Sequence, residues 1–167
     1  AAVLSETPAP ALQYGETEGL AELRDWVVRK FSKPSLKLTR SNVVIVTGGQ
    51  QALDLLGRIL LNEGDRVLVE NPTYLALLSA WRPLGVEFIA APTDHGGLRL
   101  EGLDDLVATR RPKLAYLVPN FQNPQGATLE AGRRPRLIEL IHKHGLGVVE
   151  DNPYGELRYD GPAETHL

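Results

Sequence analysis

Residues 114–126 read Leu114-AYLVPNFQNPQ-Gly126, a short apolar run closed at once by amides, an aromatic and two prolines. An apolar run of this length, bounded by turn-forming residues, predicts a strand buried on both faces. The pattern repeats on either side. Asn42-VVIVT-Gly48, Val67-LV-Glu70, Val86-EFI-Ala90 and Leu146-GVV-Glu150 read as further strands. Between them lie stretches of helical spacing: Gln50 to Leu61 (with Leu53, Leu56 and Leu60), Thr73 to Trp81, Leu103 to Val107, and Leu129 to His144. Asp94-His95-Gly96-Gly97 is a turn signal. Five strands separated by four helical segments specify an α/β fold, a three-layer αβα arrangement around a mainly parallel sheet. Pro135 conflicts with a helix interior, so either it sits in a first turn or the helix is kinked there.

Further out, Leu20, Leu23, Trp26, Val27 and Phe31 mark one face of a helix, with Thr17 as its N-cap and a Pro- and Ala-containing lead (Thr7 to Pro10) before it. The chain has 167 residues, the length of one domain or of a large piece of one. Eighteen Lys and Arg against 21 Asp and Glu leave a net charge of −3, which argues against a general binder of nucleic-acid backbones. With no Cys there is no disulfide, thiolate metal site or cysteine nucleophile. No apolar run approaches the roughly 20 residues of a membrane span. AAVLSETPAP is not a signal peptide, so a cytoplasmic protein is the default expectation. The absence of Met and the featureless GPAETHL end both read as cuts.

In open α/β sheets ligands bind beyond the carboxyl ends of the strands. The polar and aromatic residues concentrate there: Thr47-GGQ-Gln51, Glu70-NPT-Tyr74, Pro119-NFQNPQ-Gly126 and Glu150-DNP-Tyr154. Gly48-Gly49 ahead of a helix lets backbone N–H groups approach an anion favoured by the helix dipole, although a tight strand-to-helix turn uses glycine for itself. It is neither a Walker motif nor a dinucleotide fingerprint. Asp151 ends an apolar strand, where a desolvated carboxylate wants a cationic or N–H⁺ partner, unless it caps the segment that follows. Tyr74 and Tyr154 fit stacking and hydrogen bonding, or packing. Asn123-Pro124 is a turn, or a turn whose amide donates to a ligand oxygen. His95, His142, His144 and His166 have no metal-ligand spacing, and no serine sits in an elbow motif, so neither a metal site nor a serine hydrolase is expected.

Taken in order, these elements resemble the fold-type I, pyridoxal-phosphate-dependent aminotransferases of class I/II. They are most like the 2-aminoadipate and multi-substrate enzymes and the aminotransferase-like domains of MocR-type regulators. The resemblance runs from Gln13 to Gly161 and rests on Tyr14-Gly15-x-Thr17-x-Gly19 with Leu23-Arg24, Thr47-GGQQAL-Asp54, Val69-ENPT-Tyr74, Pro119-NFQNP-x-Gly126 and Glu150-Asp151-x-Pro153-Tyr154. It implies an N-terminal segment and first helix over 1–40, a partial cofactor-binding large domain over 41–161 and a truncated tail over 162–167.

The same resemblance implies pyridoxal 5′-phosphate as cofactor, amino-acid and 2-oxo-acid substrates and a homodimer, with no membrane and no nucleic acid bound by this chain. Gly48, Gly49 and Gln50 would cradle the phosphate and Tyr74 would stack on the pyridine ring. Asn123 and Tyr154 would bond its O3′ oxygen, and Asp151 would keep its nitrogen protonated. Tyr14 would reach the neighbouring subunit's phosphate. The family's Schiff-base lysine lies beyond the Asp-x-x-Tyr strand, and none of Lys30, Lys33, Lys37, Lys113 and Lys143 is placed to replace it. The expectation is therefore an aminotransferase fragment without its catalytic residue, too open-edged to be stable or active alone; the alternative is a MocR-type effector domain. Gln125 departs from the family's Asn-Pro-Thr-Gly.

Overall fold

The computed structural model describes residues 5–6, 12–162, 164 and 166–167, so the lead from Thr7 to Pro10 lies outside the described residues. The chain divides into two compact units, residues 1–52 and 53–167.

In the first unit, helix α1 (Ala21–Phe31) carries an acidic first turn and a basic last turn, each complementing the helix dipole. Its N-cap is Leu20 with no side-chain cap, so Thr17 does not cap it. The anticipated apolar face is largely solvent-facing at Leu20, Leu23 and Trp26, and the buried residue on α1 is Arg24. Arg24 holds the unit together. Its Nε donates to Val43 O at 2.9 Å, Nη2 donates to Arg40 O at 2.9 Å, and Nη1 pairs with Glu16. The run Asn42-VVIVT-Gly48 does not join a sheet, contrary to its β-branched composition. Its Ile45 N–H is taken by Glu18 O at 2.8 Å, and Gly19 at φ +96° packs so tightly on Ile45 that a Cβ there would lie 2.5 Å from the Ile45 Cβ. Helix α2 (Gly49–Leu60) follows.

The second unit is built on five strands: β1 (Arg66–Asn71), β2 (Glu87–Asp94), β3 (Gly97–Leu98), β4 (Leu114–Leu117) and β5 (Gly147–Glu150). Their order is β3-β2-β1-β4-β5, with all pairings parallel except the β2–β3 hairpin across His95-Gly96. The strand count expected from sequence is thus met with a different member, the two-residue β3. Helices α3 (Leu75–Trp81), α4 (Leu103–Arg110) and α5 (Arg133–His144) complete the crossovers. Pro135 is the third residue of α5, where its missing N–H would have had no partner inside the helix.

Alternation along the strands builds two cores, as a doubly covered sheet requires. Leu68, Ala115 and Leu117 point to one face, with Leu103, Val107 and Leu137 from α4 and α5. Val67, Val69, Leu114 and Tyr116 point to the other, with Leu53 from α2 and Leu77 and Trp81 from α3. The three-layer αβα reading holds.

Candidate active site

Because β1, β4 and β5 run parallel, the segments after them emerge at the same edge of the sheet. Four side-chain amides and a hydroxyl tie those segments together. Gln122 Nε2 donates to Pro72 O at 2.7 Å, and its Oε1 accepts from Gln125 N at 3.0 Å. The Thr93 hydroxyl lies 2.7 Å from the Gln125 side chain and 2.8 Å from Asn71 O. Asn120 Nδ2 donates to Asn152 Oδ1 at 3.0 Å, while Asn120 Oδ1 accepts from Arg134 Nη2 at 2.9 Å. Asn120 and Gln122 are buried, so leaving the bonds of these two amides unmade would cost about 1–3 kcal/mol each, whereas the Thr93 contacts are exposed. The departure at Gln125 therefore has a structural role in this chain: its side chain fastens the 119–126 loop to the end of β2.

Asp151 follows β5 directly, and its N–H continues the ladder by donating to Leu117 O at 2.9 Å. It does not cap the 3₁₀ turn at Gly155–Leu157, whose N-cap is Tyr154. The carboxylate is half-buried, and Tyr116 Oη donates to its Oδ2 at 2.6 Å. Burial, followed by this bond to Asp151, pushes the Tyr116 phenol far up, so Tyr116 stays neutral and remains a donor. Among the described residues no side chain or backbone group bonds Oδ1, so one carboxylate oxygen is satisfied from within the fold and the other is left for a partner from outside it. A half-buried carboxylate with one oxygen held by a neutral phenol is a chemically suitable partner for a protonated ring nitrogen, and Asp151 fits a pyridoxal group on that ground.

Glu70, at the end of β1, was not singled out from sequence. It is 3 % exposed, its Oε2 accepts from Val118 N at 2.9 Å, and burial pushes its carboxyl up to about 7 against the pull of that N–H and the Gln122 amide.

The other expected residues fall as follows. Tyr74 is the N-cap of α3, half-buried and packed against the core that holds Tyr116 and Trp81. Asn123 is half-buried in the loop closed by Gln122 N donating to Ala127 O at 2.8 Å, and the Asn123–Pro124 bond is cis. Tyr154 is partly exposed. Tyr74, Asn123, Asp151 and Tyr154 thus share the carboxyl edge of one sheet. Gly48, Gly49 and Gln50 belong to the first unit, at the start of α2, with nothing within 4 Å of where a side chain would stand on either glycine. Gln51 Oε1 reaches back to accept from Thr47 N at 2.7 Å, fixing that turn. Tyr14 is fully exposed. Lys113 precedes β4 and pairs with Asp65, and Lys143 ends α5 paired with Asp104, so both stand at the opposite edge from Asp151.

The family model for aminotransferase class I and II matches residues 5–166. The aromatic-amino-acid aminotransferase 1 of Thermococcus litoralis is 40% identical over 168 residues, covering 95% of this chain and 40% of the relative. The 2-aminoadipate transaminase of Thermus thermophilus is 40% identical over 159 residues, covering 95% and 39%. Among solved structures, the α-aminoadipate aminotransferase of Thermus thermophilus complexed with N-(5′-phosphopyridoxyl)-L-leucine superposes with a TM-score of 0.91 at 38% identity, covering 97% of this chain and 40% of that one. The Pyrococcus horikoshii kynurenine aminotransferase, solved with PMP, gives 0.89 at 41% identity, covering 98% and 42%. The chain spans about two-fifths of the length of these relatives.

Proposed function

The chain belongs to the class I and II aminotransferase family, and from that premise we propose that the protein carrying it moves an amino group from an amino acid to a 2-oxo acid with pyridoxal 5′-phosphate. The observation that carries this reading is Asp151, a carboxylate at the carboxyl edge of the sheet with one oxygen held by Tyr116 and the other unclaimed among the described residues. When bound, the cofactor supplies an electron sink for the charge left as the substrate's α-proton departs.

This chain's own residues would bind and tune that group. Asp151 holds a proton at the ring nitrogen by charge pairing. The Asn123 amide and the Tyr154 hydroxyl would donate to the O3′ oxygen and stabilise negative charge on it. Tyr74 offers a ring face for stacking. Gly48, Gly49 and Gln50, at the start of a 12-residue helix, present N–H groups and the positive end of its dipole to a phosphate. Tyr14, fully exposed here, would reach the phosphate of a neighbouring subunit in a homodimer. The acting lysine lies outside these 167 residues, in a large domain whose first part is 41–161, preceded by the 1–40 segment and followed by 162–167. The place of work is the cytoplasm. The relatives named above are aminotransferases, which favours an enzyme over a regulator's effector domain; among the described residues no helix is long and apolar enough to cross a membrane.

The test is a half-reaction on the full-length protein: aromatic amino acids and 2-aminoadipate are supplied as amino donors, and the cofactor's absorbance is followed. A donor-dependent change lost in Asp151→Asn supports the proposal. A wild-type protein that takes up the cofactor but shows no change with any amino donor refutes transamination.

A further inference from the structure

Tyr116 stands on β4 opposite Val149 of β5, and Asp151 lies two residues further along, on the same face of the sheet. The phenol ring therefore lies under the carboxyl edge with its hydroxyl directed along it to Asp151. The ring itself is fixed. It meets Trp81 edge-on, with centroids 6.1 Å apart at 76°, and Trp81 is pinned by Nε1 donating to Leu53 O at 2.7 Å. Both aromatic side chains are wholly buried, so no water competes for the Tyr116 hydroxyl.

We propose that Tyr116 is a positioning residue for the cofactor: its buried hydroxyl clamps one oxygen of Asp151, so that the other is aimed at the ring nitrogen. The inference rests on the aminotransferase reading above. It adds a residue whose sequence context, an apolar strand, gives no hint of chemistry. Without the clamp the carboxylate is free to turn, and its hydrogen bond to the ring nitrogen loses its alignment. A poorly aligned carboxylate stabilises a protonated ring nitrogen less well.

Tyr116→Phe keeps the ring and its packing on Trp81 and removes only the hydroxyl. In the full-length protein loaded with ¹⁵N-labelled pyridoxal phosphate, the ring-nitrogen resonance should move toward the neutral-pyridine position. The dissociation constant for the cofactor should rise about tenfold, the equivalent of about 1.4 kcal/mol. In an Asp151→Asn background the same change should alter the constant less than twofold, because a residue acting through Asp151 has nothing left to act on. Should Tyr116→Phe fail to fold, Tyr116→3-fluorotyrosine keeps ring and hydroxyl and strengthens the donor, moving the resonance the other way. An unmoved resonance in the variant, or an equal loss of affinity in both backgrounds, overturns the role of Tyr116 alone. A wild-type protein that takes up no cofactor overturns the functional reading together with it.

Discussion

Glu70→Gln should stabilise the protein by an amount that grows as pH rises from about 4.5 to about 7 and is full above that. The Glu70 carboxyl is 3 % exposed and burial raises it from its ordinary 4.5 to about 7. Between those values the folded protein holds a proton that the unfolded chain has released. Unfolding in that window therefore releases a proton, and stability declines as pH rises from about 4.5 to about 7, then levels off. At about 1.4 kcal/mol per pH unit, this burial costs about 3 kcal/mol at pH 8. Glutamine is never charged, and its Oε1 can still accept from Val118 N–H, so it escapes that cost. The assay is thermal unfolding of the cofactor-free full-length wild type and Glu70→Gln at pH 5 and pH 8. Groups common to both proteins cancel in the difference. The variant should exceed the wild type only slightly near pH 5 and by on the order of 6 °C at pH 8. A difference between the two proteins that stays constant from pH 5 to pH 8 would refute the reasoning.

Three further outcomes follow from the packing. Gly57→Ala should destabilise by about 1–2 kcal/mol despite alanine's better helix propensity, because the new Cβ would stand 2.7 Å from the Trp81 ring; a lower urea midpoint checks this. Trp81→Phe should cost about 2–3 kcal/mol, combining a cavity with the loss of the Nε1 donor to Leu53 O, read by the same titration. Arg24→Met should speed amide hydrogen exchange across residues 40–45, since Val43 O and Arg40 O lose their guanidinium donor at about 2 kcal/mol; unchanged exchange would mean those carbonyls find water at no cost.

The doubly buried strands were legible because their apolar runs are local. Leu114-AYLV and Val67-LV-Glu70 lie within sheet strands or run just past their ends. Pairing is not local. Asn42-VVIVT-Gly48 has strand composition yet pairs with Glu18, and nothing in its own residues says so. The two-residue β3 is too short to make a run, although the turn that forms it was visible in Asp94-His-Gly-Gly97. Thr17 has a capping side chain but lies four residues before α1 begins. At the site, Tyr74, Asn123, Asp151 and Tyr154 were identifiable as motif residues after strand ends. Glu70, Asn120, Gln122 and Tyr116 were not assigned roles, because each acts through burial and through partners 32 to 50 residues away. Gln125 read as a mere departure from a motif until Thr93, 32 residues earlier, supplied its partner.

On the function proposed above, this chain supplies the ring-binding side of a pyridoxal phosphate site whose covalent lysine lies elsewhere in the protein. Borohydride reduction of the full-length protein with the cofactor present, followed by intact mass and peptide mapping, tests it most directly. One pyridoxyl group per chain is expected, on a lysine outside these 167 residues, with capture sharply reduced in Asp151→Asn. Capture of no group at all, or of one on Lys30, Lys33, Lys37, Lys113 or Lys143, would contradict it.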